Sequence, residues 1–247
     1  MIQLPIEPKV ISRTGNKVTF EIGPLYPGYG TTIGNTLRRV LISSIEGAAV
    51  TSAKIKGVEH EFSTIPGVRE DTIELIVNLK KIRFKLFSDE PVTLLLSAKG
   101  VGEATAKDIS ANSDVEVVNP EQHVATITDK KTELQIEIRV EKGVGYVPVE
   151  QRQKEKLSVG EIAIDGIFTP IRNVHYEVEN IRVGQRTDYN KILIDIETDG
   201  SIAPEETLKK ASQILLDHFQ VINAVAMPEV IEKPAKAKKP AKKKKDA

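Results

Sequence analysis

Between residues 31 and 47 apolar positions recur at helical spacing. At about 100° per residue, Ile33, Leu37, Val40, Leu41 and Ile45 share one broad face. Thr31 or Thr32 is expected as N-cap and Gly47 as C-cap. The opposite side carries Arg38, Arg39, Ile42 and Glu46, so an apolar residue stands among charges. That mixture fits either a solvated face with one stray isoleucine or a helix that meets a second surface. A longer stripe, roughly 100° wide, runs through Leu208, Ala211, Ser212, Leu215, Phe219, Ile222 and Ala226, and predicts a helix over 204–226. Pro204 suits its first turn, and Glu205 and Glu206 suit its positive end.

Elsewhere the period is two. Residues 133–141 (ELQIEIRVE) alternate strictly, with Leu134, Ile136, Ile138 and Val140 on one side, and predict a strand with one face on a core. Further strands are expected at 17–22, 91–98, 114–118, 161–164, 174–179 and 191–197. Residues 48–62 read as two strands around the Lys56-Gly57 turn, 71–81 as a short helix, and 100–108 and 154–160 as loops. Short strands with few helices between them predict an α+β fold with largely antiparallel sheets.

Composition narrows the chemistry. The 247 residues suffice for one large or two smaller domains, with only 4% aromatics, so aliphatic side chains must supply the core. There are no cysteines, which excludes disulfides and thiolate zinc sites and agrees with a reducing compartment. No apolar run approaches the roughly 20 residues of a membrane span. The opening residues lack a signal-peptide pattern. A soluble, cytoplasmic protein is therefore expected. The zero net charge is split: residues 233–247 hold eight lysines and one aspartate, +7, which leaves −7 on the remainder. Lys, Ala and Pro without apolar residues predict a disordered tail.

Catalytic patterns are weak. Gly28, Gly30 and Gly34 follow a predicted strand, but their spacing departs from G-x-G-x-x-G and prolines intervene, which argues against a dinucleotide turn. The histidines at 60, 123, 175 and 218 are scattered. The pairs Glu70–Asp71 and Glu205–Glu206 read as helix-start charges rather than metal ligands. Neither a P-loop nor a nucleophile elbow is found, and no cofactor or metal is expected in this chain.

Several long motifs in register carry a resemblance: GYGTTIGNTLRRVLISSIEGAAV, EFSTIPGVREDTIELIVNLK, EKGVGYVPVEQR and FTPIRNVHYEVENIRVGQRTDYNKILIDIETDGSIAPEE. Together they resemble the amino-terminal domain of the alpha subunit of bacterial DNA-directed RNA polymerase, from about residue 9 to 222. The resemblance implies a homodimeric assembly scaffold that performs no chemistry, with the catalytic magnesium in its large partner subunits. It also implies a discontinuous dimerisation domain, residues 1–46 plus 170–228, of two amphipathic helices on a mainly antiparallel sheet. A mostly-β domain, 47–169, is inserted in it, and residues 229–247 form the tail. By the same resemblance, Arg38, Arg39 and Ile42 contact the beta subunit, and Lys80 and Ile164 the beta-prime subunit. Ile33, Leu37, Leu41, Leu208, Leu215, Phe219 and Ile222 are expected in the dimer interface.

Two departures stand out. Ala203 replaces the capping Asp usual in that family, with Ser201 as a substitute cap. In place of the family's compact carboxy-terminal DNA-binding domain, the chain gives IEKPAKAKKPAKKKKDA. Residues 233–245 suit either non-specific contact with DNA or RNA backbone or a purely solubilising role. The rival readings are a stand-alone dimeric nucleic-acid-binding protein acting through this tail and, more remotely, a nucleotide-dependent enzyme.

Overall fold

A computed structural model describes residues 2, 4–152 and 158–225. The lysine-rich tail, the last residue of the expected 204–226 helix and most of the expected 154–160 loop lie outside the described residues.

The chain begins with a hairpin, β1 (Lys9–Thr14) and β2 (Lys17–Leu25), followed by α1 (Tyr29–Ser44) and β3 (Glu46–Ile55). Next come α2 (Thr72–Leu79), β4 (Phe84–Leu86), β5 (Val92–Lys99), β6 (Gly102–Thr105), β7 (Val115–Val117), β8 (His123–Ile127) and β9 (Glu133–Val144). After β10 (Tyr146–Val147), α3 (Val149–Arg152), β11 (Glu161–Ala163) and β12 (Gly166–Ile167), a long hairpin of β13 (Ile171–Val183) and β14 (Arg186–Thr198) leads to α4 (Pro204–Asn223). All strand pairings among these elements are antiparallel, so the fold is α+β as the patterning predicts.

Two hydrophobic clusters form, with no residue in common. The smaller lies on a four-stranded sheet ordered β1-β2-β14-β13. Register pairs Val18 with Ile196, Phe20 with Ile194 and Ile22 with Ile192. Because side chains alternate across a strand, these six all reach the same face, where Leu37 and Leu41 of α1, Ile45 just past it, and Leu208 and Ala211 of α4 cover them. The larger cluster lies on the sheet ordered β5-β9-β3-β4-β7. There Ile136, Ile138 and Val140 of β9 stand between Ile55, Ala53 and Val50 of β3 and Leu96, Leu94 and Val92 of β5. Leu75 and Leu79 of α2 join that core.

The ends of α1 differ from expectation. Its N-cap is Gly28, at φ 87°, rather than a threonine. The Asn190 side chain, from β14, accepts from the Gly28 N–H at 2.8 Å and the Gly30 N–H at 3.3 Å. A distant residue thus does the work that local threonines were expected to do. At the other end the chain turns at Ile45 and enters β3 at once. Gly47 is no helix cap; it is glycine because a Cβ would overlap the Phe168 carbonyl.

The start of α4 also departs from the expected substitute cap. Ser201 is engaged with Asp199, its hydroxyl at 2.6 Å, and Ala203 supplies no side-chain bond. Ala203→Asp is therefore expected to stabilise the protein by about 0.5–1 kcal/mol, read as a raised midpoint in urea unfolding. An unchanged midpoint would mean that neighbouring groups already satisfy that helix end.

Several strands run longer than predicted, and β1, β4, β6, β8, β10 and β12 went unpredicted. In β1 all six residues are exposed, so no half-buried alternation marks it. The second strand expected within 48–62 does not form: Gly57, at φ 85°, turns the chain out of β3.

Candidate interaction surfaces

Helix α1 is held from below by backbone proximity. A Cβ at Gly34 would lie 2.6 Å from the Tyr176 ring, and one at Gly30 would lie 2.6 Å from Val178. These glycines serve helix–sheet packing, and Asn190 already occupies the amides at the helix start. A phosphate would have to displace both, so the glycine pattern makes no nucleotide turn.

The outward side of α1 presents Asn35, Arg38, Arg39, Ile42 and Ser43. The two arginines behave differently. Arg38 reaches back to the Val174 carbonyl at 3.3 Å and is tied to its own sheet. Arg39 is exposed, and among the described residues its guanidinium has no hydrogen-bond or ion-pair partner. Ile42, one turn further on, is 41% exposed.

Lys80 sits at the end of α2 and pairs with Asp165 at 2.9 Å, both half-buried. The Lys80 ammonium holds the Asp165 carboxyl below the usual range; burial opposes this, and the Val149 N–H and the Tyr146 hydroxyl reinforce it. The structure thus brings Lys80 within one residue of Ile164. Ile164 itself is 1% exposed, inside the larger core. Ile162 and Ile164 are buried, while Asp165, between Ile164 and β12, is half-exposed. Sequence reasoning missed Asp165, whose only local signal is its place one residue after the inward Ile164.

The expected dimer residues divide along α4. Leu37, Leu41 and Leu208 are buried in the smaller core of their own chain. Ile33 and Leu215 are half-buried at the margin of that core. Beyond Leu215 the helix leaves the sheet, and residues 216–223 span about 12 Å. There Phe219 is 59% and Ile222 67% exposed, with Leu216, Val221 and Val225 also in the open.

Three of the scattered histidines have protein partners: His60 faces Ser63, His123 faces Glu70 and His175 faces Glu177.

Comparison with known proteins bears on this geometry. The family model described as RNA polymerase Rpb3/RpoA insert domain matches residues 53–169, the stretch that supplies most of the larger core. The chain is 50% identical over 214 residues to the DNA-directed RNA polymerase subunit alpha of Roseiflexus sp. (strain RS-1), covering 87% of this chain and 66% of that protein. It is 48% identical over 226 residues to that of Alkaliphilus oremlandii, covering 90% of this chain and 71% of that one. The chain belongs to the DNA-directed RNA polymerase alpha-subunit family. Against the Moorella thermoacetica subunit identity is 52% over 202 residues, 64% of that protein, so the chain spans about two thirds of the length of such relatives.

This alpha-family chain contains one further polar cluster, in the larger of its two cores. Glu70 was read as a helix-start charge; only Asp71 serves so, capping α2 by accepting from the Glu74 N–H at 2.7 Å. Glu70 instead is 5% exposed. Its Oε2 accepts from the Thr126 N–H at 2.6 Å. Its Oε1 accepts from the Thr126 hydroxyl and Arg69 Nη2, both at 3.0 Å, and faces His123 Nε2 at 3.2 Å. Burial pushes this carboxyl upward, but the bonds from the Thr126 amide, its own amide, His123 and the Thr126 hydroxyl outweigh it and bring the pKa to about 2. The cluster ties the segment before α2 to β8.

Proposed function

We propose that this chain is the homodimeric scaffold of a bacterial RNA polymerase, on which the beta and beta-prime subunits assemble. The observation that carries the reading is the apolar outer half of α4, with Phe219 and Ile222 in water at the end of a helix whose first half buries Leu208 and Ala211 against its own sheet. A second copy of the same helix is the natural cover, since a two-fold axis makes such a surface self-complementary. Residues 1–46 and 170–228 then form the dimerising part, with Ile33, Leu215, Phe219 and Ile222 at the contact, and 47–169 form the inserted domain. Arg39 and Ile42, flanked by Arg38, meet the beta subunit; Lys80 meets beta-prime, with Asp165 beside the buried Ile164. The chain supplies no catalytic residue, and the magnesium chemistry belongs to the large subunits. Such an assembly works in the bacterial cytoplasm, and no helix among the described residues is long and apolar enough to cross a membrane.

The test is the pair Phe219→Asp and Ile222→Asp in one chain. Analytical ultracentrifugation is expected to give a dimer for the wild type and a folded monomer for the variant, and only the wild type should retain the two large subunits on co-purification. A variant that stays dimeric, or a wild type that sediments as a monomer, refutes the dimer contact. Retention of both large subunits by the monomer refutes the scaffold reading.

A further inference from the structure

We propose that the turn between β9 and β10, Val144, Gly145 and Tyr146, extends the docking face of α1 and binds the same large subunit as Arg39. The inference rests on reading the outer side of α1 as the beta-subunit contact, and it adds two residues that nothing in that reading assigns.

The turn abuts the C-terminal end of α1. A Cβ on Gly145 would lie 3.5 Å from the Ser43 carbonyl, and Val144 is paired across the sheet with Glu46, two residues past the helix. Ser43 adjoins Ile42, and Arg39 lies one turn back from Ile42 on the same side. The turn therefore borders the exposed stretch of α1.

Its side chains are apolar where the core no longer covers them. Along β9 the inward parity runs Leu134, Ile136, Ile138, Val140. Two steps further it reaches Val144, which is 46% exposed because the core has ended. Tyr146 is 59% exposed, and its hydroxyl is directed at Asp165, so the ring is anchored at its polar end. The backbone beneath is fixed. The Gly145 carbonyl accepts from the N–H groups of Phe168 at 2.9 Å and Thr169 at 3.2 Å, and Gly145 itself stands at φ 66°, where a side chain would be strained.

A rigid surface of Ile42, Val144 and the Tyr146 ring beside an unpartnered guanidinium defines the chemistry of its occupant. The occupant is a segment with aliphatic or aromatic side chains for the apolar part and a carboxylate for Arg39. Helix α1 carries no acidic residue of its own to compete for that charge. Aromatic rings and arginines at the centre of a contact are the residue types that carry most binding energy.

The experiment uses the full-length dimer and purified beta subunit, with affinity measured by interferometry and folding checked by melting and mass. Val144→Asp and Tyr146→Ala are each expected to weaken binding tenfold or more while dimer mass and melting stay at wild-type values. Tyr146→Phe, which keeps the ring, should bind like the wild type. Arg39→Ala is measured alongside. If Arg39→Ala weakens binding and the two turn variants do not, the turn is no part of the face and the inference falls while the reading of α1 stands. If Arg39→Ala binds normally, the α1 reading fails and takes this inference with it. A loss in Tyr146→Phe equal to that in Tyr146→Ala would also overturn it, because the hydroxyl's hold on Asp165 would then be the active element.

Discussion

Leu41→Ala is expected to cost about 2–5 kcal/mol per chain, and by the same amount at every protein concentration. Leu41 is fully buried in a cluster that its own chain completes, together with Val18, Phe20, Ile192 and Ile194 of the sheet and Leu208 and Ala211 of α4. Truncation leaves a cavity that the paired isoleucines of β14, held by the sheet register, can only partly fill. Urea unfolding at two protein concentrations tenfold or more apart measures this. The midpoint should itself rise with concentration if folding is coupled to dimerisation. The gap between wild type and Leu41→Ala should not. A gap that widens on dilution would place Leu41 in the contact between copies.

That contrast explains what periodicity alone can and cannot deliver. A helical stripe says that Leu37, Leu41, Leu208 and Phe219 must be covered, but not by which chain. The spacing along α4 is uniform from Leu208 to Ile222, while the sheet beneath it stops near Leu215. The end of the sheet is a tertiary fact with no local signal. Where local rules suffice, reading is good: β9 follows its alternation, α2 begins after Asp71, and Ile42 stands exposed among the charges of α1.

Where two distant segments share the work, local reading fails. The cap of α1 comes from Asn190, 162 positions from Gly28, so the adjacent threonines were credited with a role they do not play. Gly30 and Gly34 resemble a phosphate turn because closeness of β13 and closeness of a ligand leave the same mark in sequence, where only their spacing and the intervening prolines argue against one. A three-residue strand such as β11 is too short for its parity to be read, so the burial of Ile164 just past it and the exposure of Asp165 had no local signal. Glu70 had a plausible local role, and its partners Thr126 and His123 lie on β8, a strand that the sequence did not disclose.

Those partners give the chain an acid-sensitive joint. In the unfolded chain the Glu70 carboxyl titrates near 4.5, and in the fold near 2. Between these values falling pH puts a proton on the unfolded state that the folded state does not take, so stability is lost as pH drops. The contribution is whole above about pH 5 and is gone near pH 2, and at 1.36 kcal/mol per pH unit it amounts to about 3 kcal/mol. Arg69 and His123 are the charged or titratable groups facing the carboxylate, and each hydrogen bond favours its ionised form. Glu70→Gln keeps the shape and an acceptor for the Thr126 amide but abolishes the titration. At neutral pH the variant is expected to be less stable than the wild type by about 2–3 kcal/mol. Urea unfolding from pH 7 down to pH 3, at one protein concentration, should show this difference shrinking steadily below pH 5. The other carboxylates lowered by their partners, Asp165 and Glu161 among them, act alike in both proteins and cancel in the comparison. A difference that stays constant over that range would mean that Glu70 holds β8 through shape and hydrogen bonds alone, with no part of its hold owed to charge.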